Sequence, residues 1–253
     1  MKEDEVFLQD EYYLSKEVEA ARISKHDKVL EIGGGTGNLT KFLLNETNNL
    51  IVIEINTKLY QELLNKFEGT GIEVIHGDIL KMDLKKYMVN KVVSNIPYSI
   101  SSPILYKLLD MNIELAILAV QKEFGQRLCA LPGSGDYSRL TVTSFLKADI
   151  EILFDIPRSA FNPQPEVDSV VVKVVPLRKP RYTMKSKKFT ENFILNMFSH
   201  RRKKIGTILK KYYGIKEMKK YKELMDLRIE ELEVKKIVDL SNFVYSNYVQ
   251  KNQ

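Results

Sequence analysis

The sequence predicts an α/β fold: a doubly wound, mostly parallel sheet, followed by a small C-terminal all-α domain. Three observations carry this. Short β-branched or aliphatic runs alternate with amphipathic stretches through the first two thirds of the chain. A glycine-rich turn follows one of those runs directly. Beyond Pro176 the apolar spacing becomes helical and stays so.

Val29–Ile32, Leu50–Ile55, Glu73–Ile75, Lys91–Ser94 and Leu115–Val120 are bounded by Gly, Asn or Asp, as buried strands are. Between them, Leu39–Asn45, Leu59–Phe67 and Ile104–Asp110 carry apolar residues at helical spacing. Strands separated by helices pair in parallel, and the helices cover both faces of the sheet. Glu151–Phe154 and Ser169–Pro176 read as a later strand pair. Pro180 falls in a basic linker, and from about Phe189 the helical period runs to the end. The boundary is expected within 177–187, giving a sheet domain at 1–180 and a helical domain at 181–253.

With 253 residues, 44% hydrophobic and 28% charged, the chain can bury a core and is neither disordered nor fibrous. One cysteine, Cys129, excludes a disulfide scaffold and a multi-cysteine zinc site, and suits the core. His26, His76 and His200 are too scattered for a metal centre or triad, so no metal is expected. No apolar run approaches the roughly 20 residues that cross a bilayer, and Lys2-Glu3-Asp4-Glu5 does not read as a signal peptide. A cytoplasmic protein without a membrane partner is expected. The net charge of +6 is unevenly spread. Leu177–Lys222 holds sixteen Lys and Arg against Glu191 and Glu217, leaving 23 basic and 31 acidic residues elsewhere. The split suits a polyanionic partner on the basic side, or a solubilising Lys-rich helical face.

Val29-Leu30-Glu31-Ile32 runs straight into Gly33-Gly34-Gly35-Thr36-Gly37. Glycines there let the backbone turn sharply and let a ligand lie against it. A dinucleotide fingerprint needs glycine at position 38, where Asn38 stands; the pattern is instead Glu-x-Gly-x-Gly-x-Gly. That favours a nucleoside ligand without a pyrophosphate, such as S-adenosylmethionine. Polar residues then close successive strands. Glu54 ends the second, where a carboxylate accepts ribose hydroxyls. Asp78 ends the third, placed to accept from an adenine amino group, and Asn95 ends the fourth. Ligands in such sheets bind beyond the carboxyl ends of the strands.

Asn95-Ile96-Pro97-Tyr98 suits methyl transfer to an exocyclic amino nitrogen, whose lone pair is delocalised into its ring. Two acceptors draw its N–H groups out of conjugation: the Asn95 side-chain oxygen and a main-chain carbonyl near Pro97. Tyr98 can stack on the base and hold it in line with the methyl group, and Pro97 stiffens the backbone that aims both acceptors.

With these motifs in hand, the sequence resembles the small-subunit ribosomal RNA adenine dimethyltransferases of the kasugamycin-resistance type. The resemblance covers nearly the whole chain. Besides the glycine turn, Glu54, Gly77-Asp78-Ile79-Leu80 and the tetrapeptide, it rests on Phe7-Leu8, Gln121-Lys122-Glu123-Phe124, Arg127 and Tyr137-Ser138-Arg139-Leu140. Phe161-Asn162-Pro163-Gln164-Pro165-Glu166-Val167-Asp168-Ser169 and Phe198-Ser199-His200-Arg201-Arg202-Lys203 complete it, and the last run, with Ser101-Ser102-Pro103, looks more like the archaeal and eukaryotic branch. The resemblance implies a class I S-adenosylmethionine-dependent methyltransferase fold. It also implies a substrate of two adjacent adenines near the 3′ end of small-subunit rRNA, each dimethylated, in a pre-ribosomal particle, and a role in small-subunit maturation. A monomer is expected. The cofactor candidates are Val6, Leu8, Glu31, Gly33, Gly35, Glu54, Ile55, Asp78, Ile79 and Asn95. Val6 departs from the family's Gly-Gln-(Asn/His)-Phe-Leu opening: it cannot supply the polar side chain expected beside the cofactor's methionine end, while its backbone can still contact the cofactor, and acids stand where the family carries a basic arm.

In the family, the equivalent of Phe161 holds the target base opposite the tetrapeptide tyrosine; from the residues alone, Phe161 equally suits packing beneath a proline loop. The catalytic candidates are thus Asn95, Pro97, Tyr98 and Phe161. His200-Arg201-Arg202-Lys203-Lys204 reads as a phosphate-contacting helix, with Arg127 and Arg139 of the sheet domain extending the track. Two alternatives stand beside this: a large-subunit rRNA methyltransferase of the macrolide-resistance type, and a non-catalytic ribosome assembly or transcription factor on the same fold.

Overall fold

A computed structural model describes residues 6–249; the acidic residues Glu3, Asp4 and Glu5 lie outside them. In chain order the elements are β1 (Phe7–Leu8), α1 (Glu11–Ala21), β2 (Val29–Ile32), α2 (Asn38–Glu46), β3 (Leu50–Glu54), α3 (Thr57–Lys66) and β4 (Glu73–His76). There follow β5 (Lys91–Asn95), α4 (Ser101–Leu109), β6 (Leu115–Gln121), α5 (Lys122–Leu128), α6 (Arg139–Phe145), β7 (Ala148–Ile156), β8 (Phe161–Asn162) and β9 (Ser169–Pro176). The last helices are α7 (Lys187–Ser199), α8 (Ile205–Tyr213) and α9 (Val234–Val244).

Seven strands form one sheet in the order β4-β3-β2-β5-β6-β9-β7. The first five run parallel, and β9 lies antiparallel between β6 and β7. This is the mostly parallel α/β sheet expected. Every residue of β2 and β3 is buried, as strands covered on both faces must be. The order reverses beside β2, with β3 and β4 to one side and β5 to the other, which opens a crevice at the carboxyl ends of β2 and β5. A separate two-stranded pairing joins β1 to β8 and sets Leu8 opposite Phe161.

Helix α1 has no counterpart in the sequence reading. Asp10 caps it by accepting from the Tyr12 N–H at 2.9 Å, and it buries Leu14, Val18 and Ala21. Among these apolar residues it also buries a carboxyl, Glu17, which blurs the stripe.

The chain divides into two compact units: residues 1–126 with 148–176, and residues 127–147 with 177–253. The second includes a segment, 127–147, that the linear reading left with the sheet. Its reason is apolar: Tyr137, Val142 and Leu146 belong to the same buried cluster as Phe193, Ile194, Met197 and Phe198 of α7. The Tyr137 hydroxyl also donates to the Leu232 carbonyl at 2.9 Å. Arg127 and Arg139 therefore lie in the second unit, not in the sheet unit. No helix among the described residues is long and apolar enough to cross a membrane.

Candidate active site

A cleft of about 390 Å³ opens in the sheet unit beyond β2, β3 and β5, within the size of small-molecule sites. The glycine turn forms one wall. Gly33 and Gly35 have φ of 75° and 53°, the left-handed region. A Cβ on Gly33 would meet only Pro97 Cδ, at 3.9 Å, so this face of the turn is open. On Gly35 it would come within 2.8 Å of the Phe7 ring, so only glycine admits Phe7 there.

Glu54 ties the turn to β3. Its Oε2 accepts from the Gly35 N–H at 2.9 Å and its Oε1 from the Asn56 N–H at 2.8 Å, and each oxygen keeps a lone pair for another donor. Glu31 lines the same wall, nearly buried, and accepts from the Thr40 hydroxyl at 2.6 Å. Burial, then Glu54, push its carboxyl up to about 8 against the opposing effects of Thr40 and Lys66.

The opposite wall is the tetrapeptide. Asn95, Pro97 and Tyr98 all line the cleft. Pro97, at φ −53°, precedes a single 3₁₀ turn over Tyr98–Ile100, and its carbonyl accepts from the Ile100 N–H at 3.1 Å. The Tyr98 hydroxyl lies 2.7 Å from the Ser169 hydroxyl at the start of β9. Ser169 is fully buried and was not anticipated as part of the site. Phe161 lines the cleft and is 7% exposed within the apolar cluster of the sheet unit.

Val6, Leu8 and Ile55 also line the cleft, and Ile55 is 63% exposed. Asn38, the residue that breaks the dinucleotide pattern, donates from Nδ2 to the Leu8 carbonyl at 2.8 Å and so holds β1 over the glycine turn. Asp78 and Ile79 are not among the described residues lining the cleft. Asp78 instead accepts from its own Leu80 N–H at 2.9 Å and lies 3.4 Å from Lys81, while Ile79 is buried. The sequence placed them at a strand end correctly, but that strand is β4, at the sheet edge and two strands from β2.

A family model described as ribosomal RNA adenine dimethylase matches residues 4–246. The chain belongs to that family. It is 41% identical over 251 residues to a Methanococcoides burtonii protein named "Probable ribosomal RNA small subunit methyltransferase A", covering 96% of this chain and 92% of the relative. Among solved structures it is similar to a dimethyladenosine transferase from Plasmodium falciparum, with a TM-score of 0.81, 30% identity, and 95% and 97% of the two chains covered. It is also similar to the 23S rRNA methyltransferase ErmE, with a TM-score of 0.70, 26% identity, and 92% and 99% covered. The fold is that of the class I S-adenosylmethionine-dependent methyltransferases.

The donors of this dimethylase-family cleft suit S-adenosylmethionine. The open face at Gly33, the carboxyl of Glu54 with acceptor capacity left, and the exposed apolar side chain of Ile55 match a nucleoside.

The basic candidates gather in the second unit, but not as a helix. His200–Lys204 forms the turn between α7 and α8. Arg201 is engaged internally: its Nη1 donates to the Gly135 and Tyr137 carbonyls, both at 3.1 Å, and its Nε is 3.5 Å from Glu230. Lys204 pairs with Asp226 at 2.8 Å, and the His200 ring nitrogen sits between the Tyr212 hydroxyl at 2.9 Å and Lys211 at 3.0 Å. Arg202, Lys203 and Arg139 are exposed; Arg127, at the end of α5, is half-buried.

Proposed function

We propose that the protein transfers methyl groups from S-adenosylmethionine to the exocyclic N6 of adenine in small-subunit rRNA, with two adjacent adenines near the 3′ end, each dimethylated, as substrate. The observation that carries this is the meeting of Asn95-Ile96-Pro97-Tyr98 with the glycine turn and Glu54 around one cleft. Family membership and relatives at about 41% identity, named for the small subunit, support the choice of RNA.

Bound S-adenosylmethionine supplies a methyl group on a sulfonium, reactive enough that the target nitrogen needs orientation more than activation. Glu54 would accept the ribose hydroxyls and Ile55 would pack against the nucleoside base. Glu31, ionised, would face the positive end of the cofactor, with Leu8 and the Val6 backbone alongside. Asp78 keeps acceptor capacity beside its bond from the Leu80 N–H and would use it toward the adenine amino group. On the other wall, Tyr98 would stack on the target adenine with its ring held by Ser169, and Phe161 would back it from β8. The Asn95 oxygen and a carbonyl near Pro97 would accept the two N–H groups, turning the nitrogen lone pair toward the methyl group. The proton would leave to water after transfer.

The proposal extends to a monomer acting in the cytoplasm on a pre-ribosomal particle, without a metal. The second unit would dock the RNA through Arg202, Lys203 and Arg139, with Arg127 beside them. The similarity to ErmE makes a large-subunit substrate the competing outcome. The test is incubation of purified small and large ribosomal subunits with the protein and methyl-labelled S-adenosylmethionine, then mass spectrometry of the rRNA. Dimethyladenosine at adjacent positions of small-subunit rRNA is expected. Label confined to the large subunit would overturn the substrate, and label in neither would favour a non-catalytic role.

A further inference from the structure

Glu17 is a buried acid to which the proposed chemistry gives no task. It projects from α1, is 1% exposed, and stands behind the cleft rather than in its lining. The Asn95 amide reaches it. Nδ2 donates to Glu17 Oε1 at 3.0 Å and Oε2 at 3.2 Å in the amide orientation that satisfies both of its ends. With Glu17 ionised, this is the bonded orientation, because the reverse would set an amide oxygen against two carboxylate oxygens.

An asparagine has nearly the same shape either way round, so packing does not decide which end faces the cleft. The transfer chemistry does care: an oxygen there accepts from the target amino group, whereas an NH₂ there repels it. An ionised carboxylate can only accept, so it takes the NH₂ and leaves the oxygen on the cleft side. We propose that Glu17 is a positioning residue for methyl transfer, holding the Asn95 amide with its oxygen presented to the target base. This rests on the methyl-transfer function proposed above.

The surroundings allow the role. Of the elements packed against α1, β6 carries no titratable side chain, Lys91 of β5 pairs with Asp27, and on α2 Lys41 pairs with Glu11 while Glu46 is exposed. The charge acting on Glu17 is Glu31 of β2, which, after burial, raises its carboxyl well above the usual range. The two NH bonds from Asn95 oppose that rise by favouring the ionised, orienting form.

The experiment swaps the donor and acceptor. Glu17→Gln keeps the size but offers both a donor and an acceptor, so either Asn95 orientation is satisfied. With the two orientations equally satisfied, its kcat for rRNA methylation should fall about twofold, with KM for RNA and cofactor unchanged. Asn95→Asp alone sets two carboxyls face to face. Adding Glu17→Gln to it lets the new amide donate to the carboxylate, leaves an oxygen on the cleft, and should raise kcat roughly tenfold over Asn95→Asp. Wild-type kcat in Glu17→Gln, or no gain in the double variant, would overturn the proposal. A purely structural Glu17 would change thermal stability without producing the rescue. A readout without turnover separates this from the function itself: nuclear magnetic resonance of the Asn95 side-chain amide in the full chain. One exchange-protected environment in wild type and two environments in Glu17→Gln support the positioning, even if no rRNA is methylated; an amide unchanged by Glu17→Gln overturns it.

Discussion

Around the cleft, side chains from positions as far apart as 8, 54, 98 and 169 meet within one cavity, whereas in the turn between α7 and α8 five consecutive basic residues go separate ways. The first gathering comes from sheet order: β2, β3 and β5 are neighbours, so whatever ends them converges. The second dispersal comes from a tight turn, where successive side chains point in different directions. Charge divides the same way. The sheet unit carries 16 basic against 24 acidic residues and the second unit 23 against 9, so burying a carboxyl is the costly event in one and leaving cations in solvent is the easy event in the other. Motif density marks a site only where the fold makes neighbours of the motif's residues.

The largest effect that would break this contrast is at Asn95. Asn95→Ala should lower kcat by roughly 10²–10³-fold while leaving folding and RNA affinity near wild type, as read by methyl transfer, circular dichroism and filter binding. Next comes Tyr98. Tyr98→Ala should cost on the order of tenfold to a hundredfold through loss of base stacking, at about 1–3 kcal/mol per base. Ser169→Ala, which leaves the ring but removes the hydroxyl 2.7 Å from that of Tyr98, should cost less; an equal loss would mean that this contact matters more than the ring.

The pH dependence of cofactor binding is a finer probe of the acidic side. Glu31 holds its proton up to about 8 in the free protein, and a cationic ligand prefers the carboxylate. Binding then releases a proton, so affinity for S-adenosylmethionine should rise by up to roughly tenfold per pH unit as pH approaches about 8 from below and level off above. Calorimetry in two buffers would count that proton, and Glu31→Gln should flatten the slope. In the free protein the sign reverses for stability. The folded state binds this proton more tightly than the unfolded one, whose value is 4.5, so the contribution of Glu31 weakens the fold as pH rises from there through about 8.

The smallest effects separate the basic residues from one another. Arg202→Ala with Lys203→Ala should reduce the slope of log affinity against log salt by about 1.4–1.8, with thermal stability unchanged. Arg201→Ala should do the opposite. Losing two charged hydrogen bonds to the Gly135 and Tyr137 carbonyls costs about 1–3 kcal/mol, or several degrees in Tm, with little change in salt slope. A salt slope that responds to Arg201 as strongly as to Arg202 would erase the distinction drawn here.

Much of the sheet unit was legible because its strands are continuous aliphatic runs and its turns carry glycine. β2 and β9 match the expected spans, and β3, β4, β5 and β6 differ by one residue at one end. Helix α1 was not legible, because a buried Glu17 interrupts its apolar stripe and the reason for that burial, Asn95, is 78 positions away. The 127–147 segment was misassigned for a similar reason. Tyr137 and Val142 are ordinary core residues in sequence, and only the cluster they join identifies their unit. Likewise Ser169 begins a valine-rich strand without any mark of its own beyond its motif; its pairing with Tyr98 spans 71 positions.

By itself, then, the sequence determined the alternation of strand and helix, the glycine turn, the strand-end acids, the tetrapeptide and the basic excess, since each depends on local spacing and residue type. Tertiary structure decided which of these share a cavity. It drew Leu8 over the glycine turn through Asn38, left Asp78 out of the cleft lining, took Arg201 into internal bonds, and set Glu17 against the one amide whose orientation matters. The physical reason is common to all four: hydrogen-bond partners are chosen by proximity in space, and strand order, not sequence separation, sets that proximity.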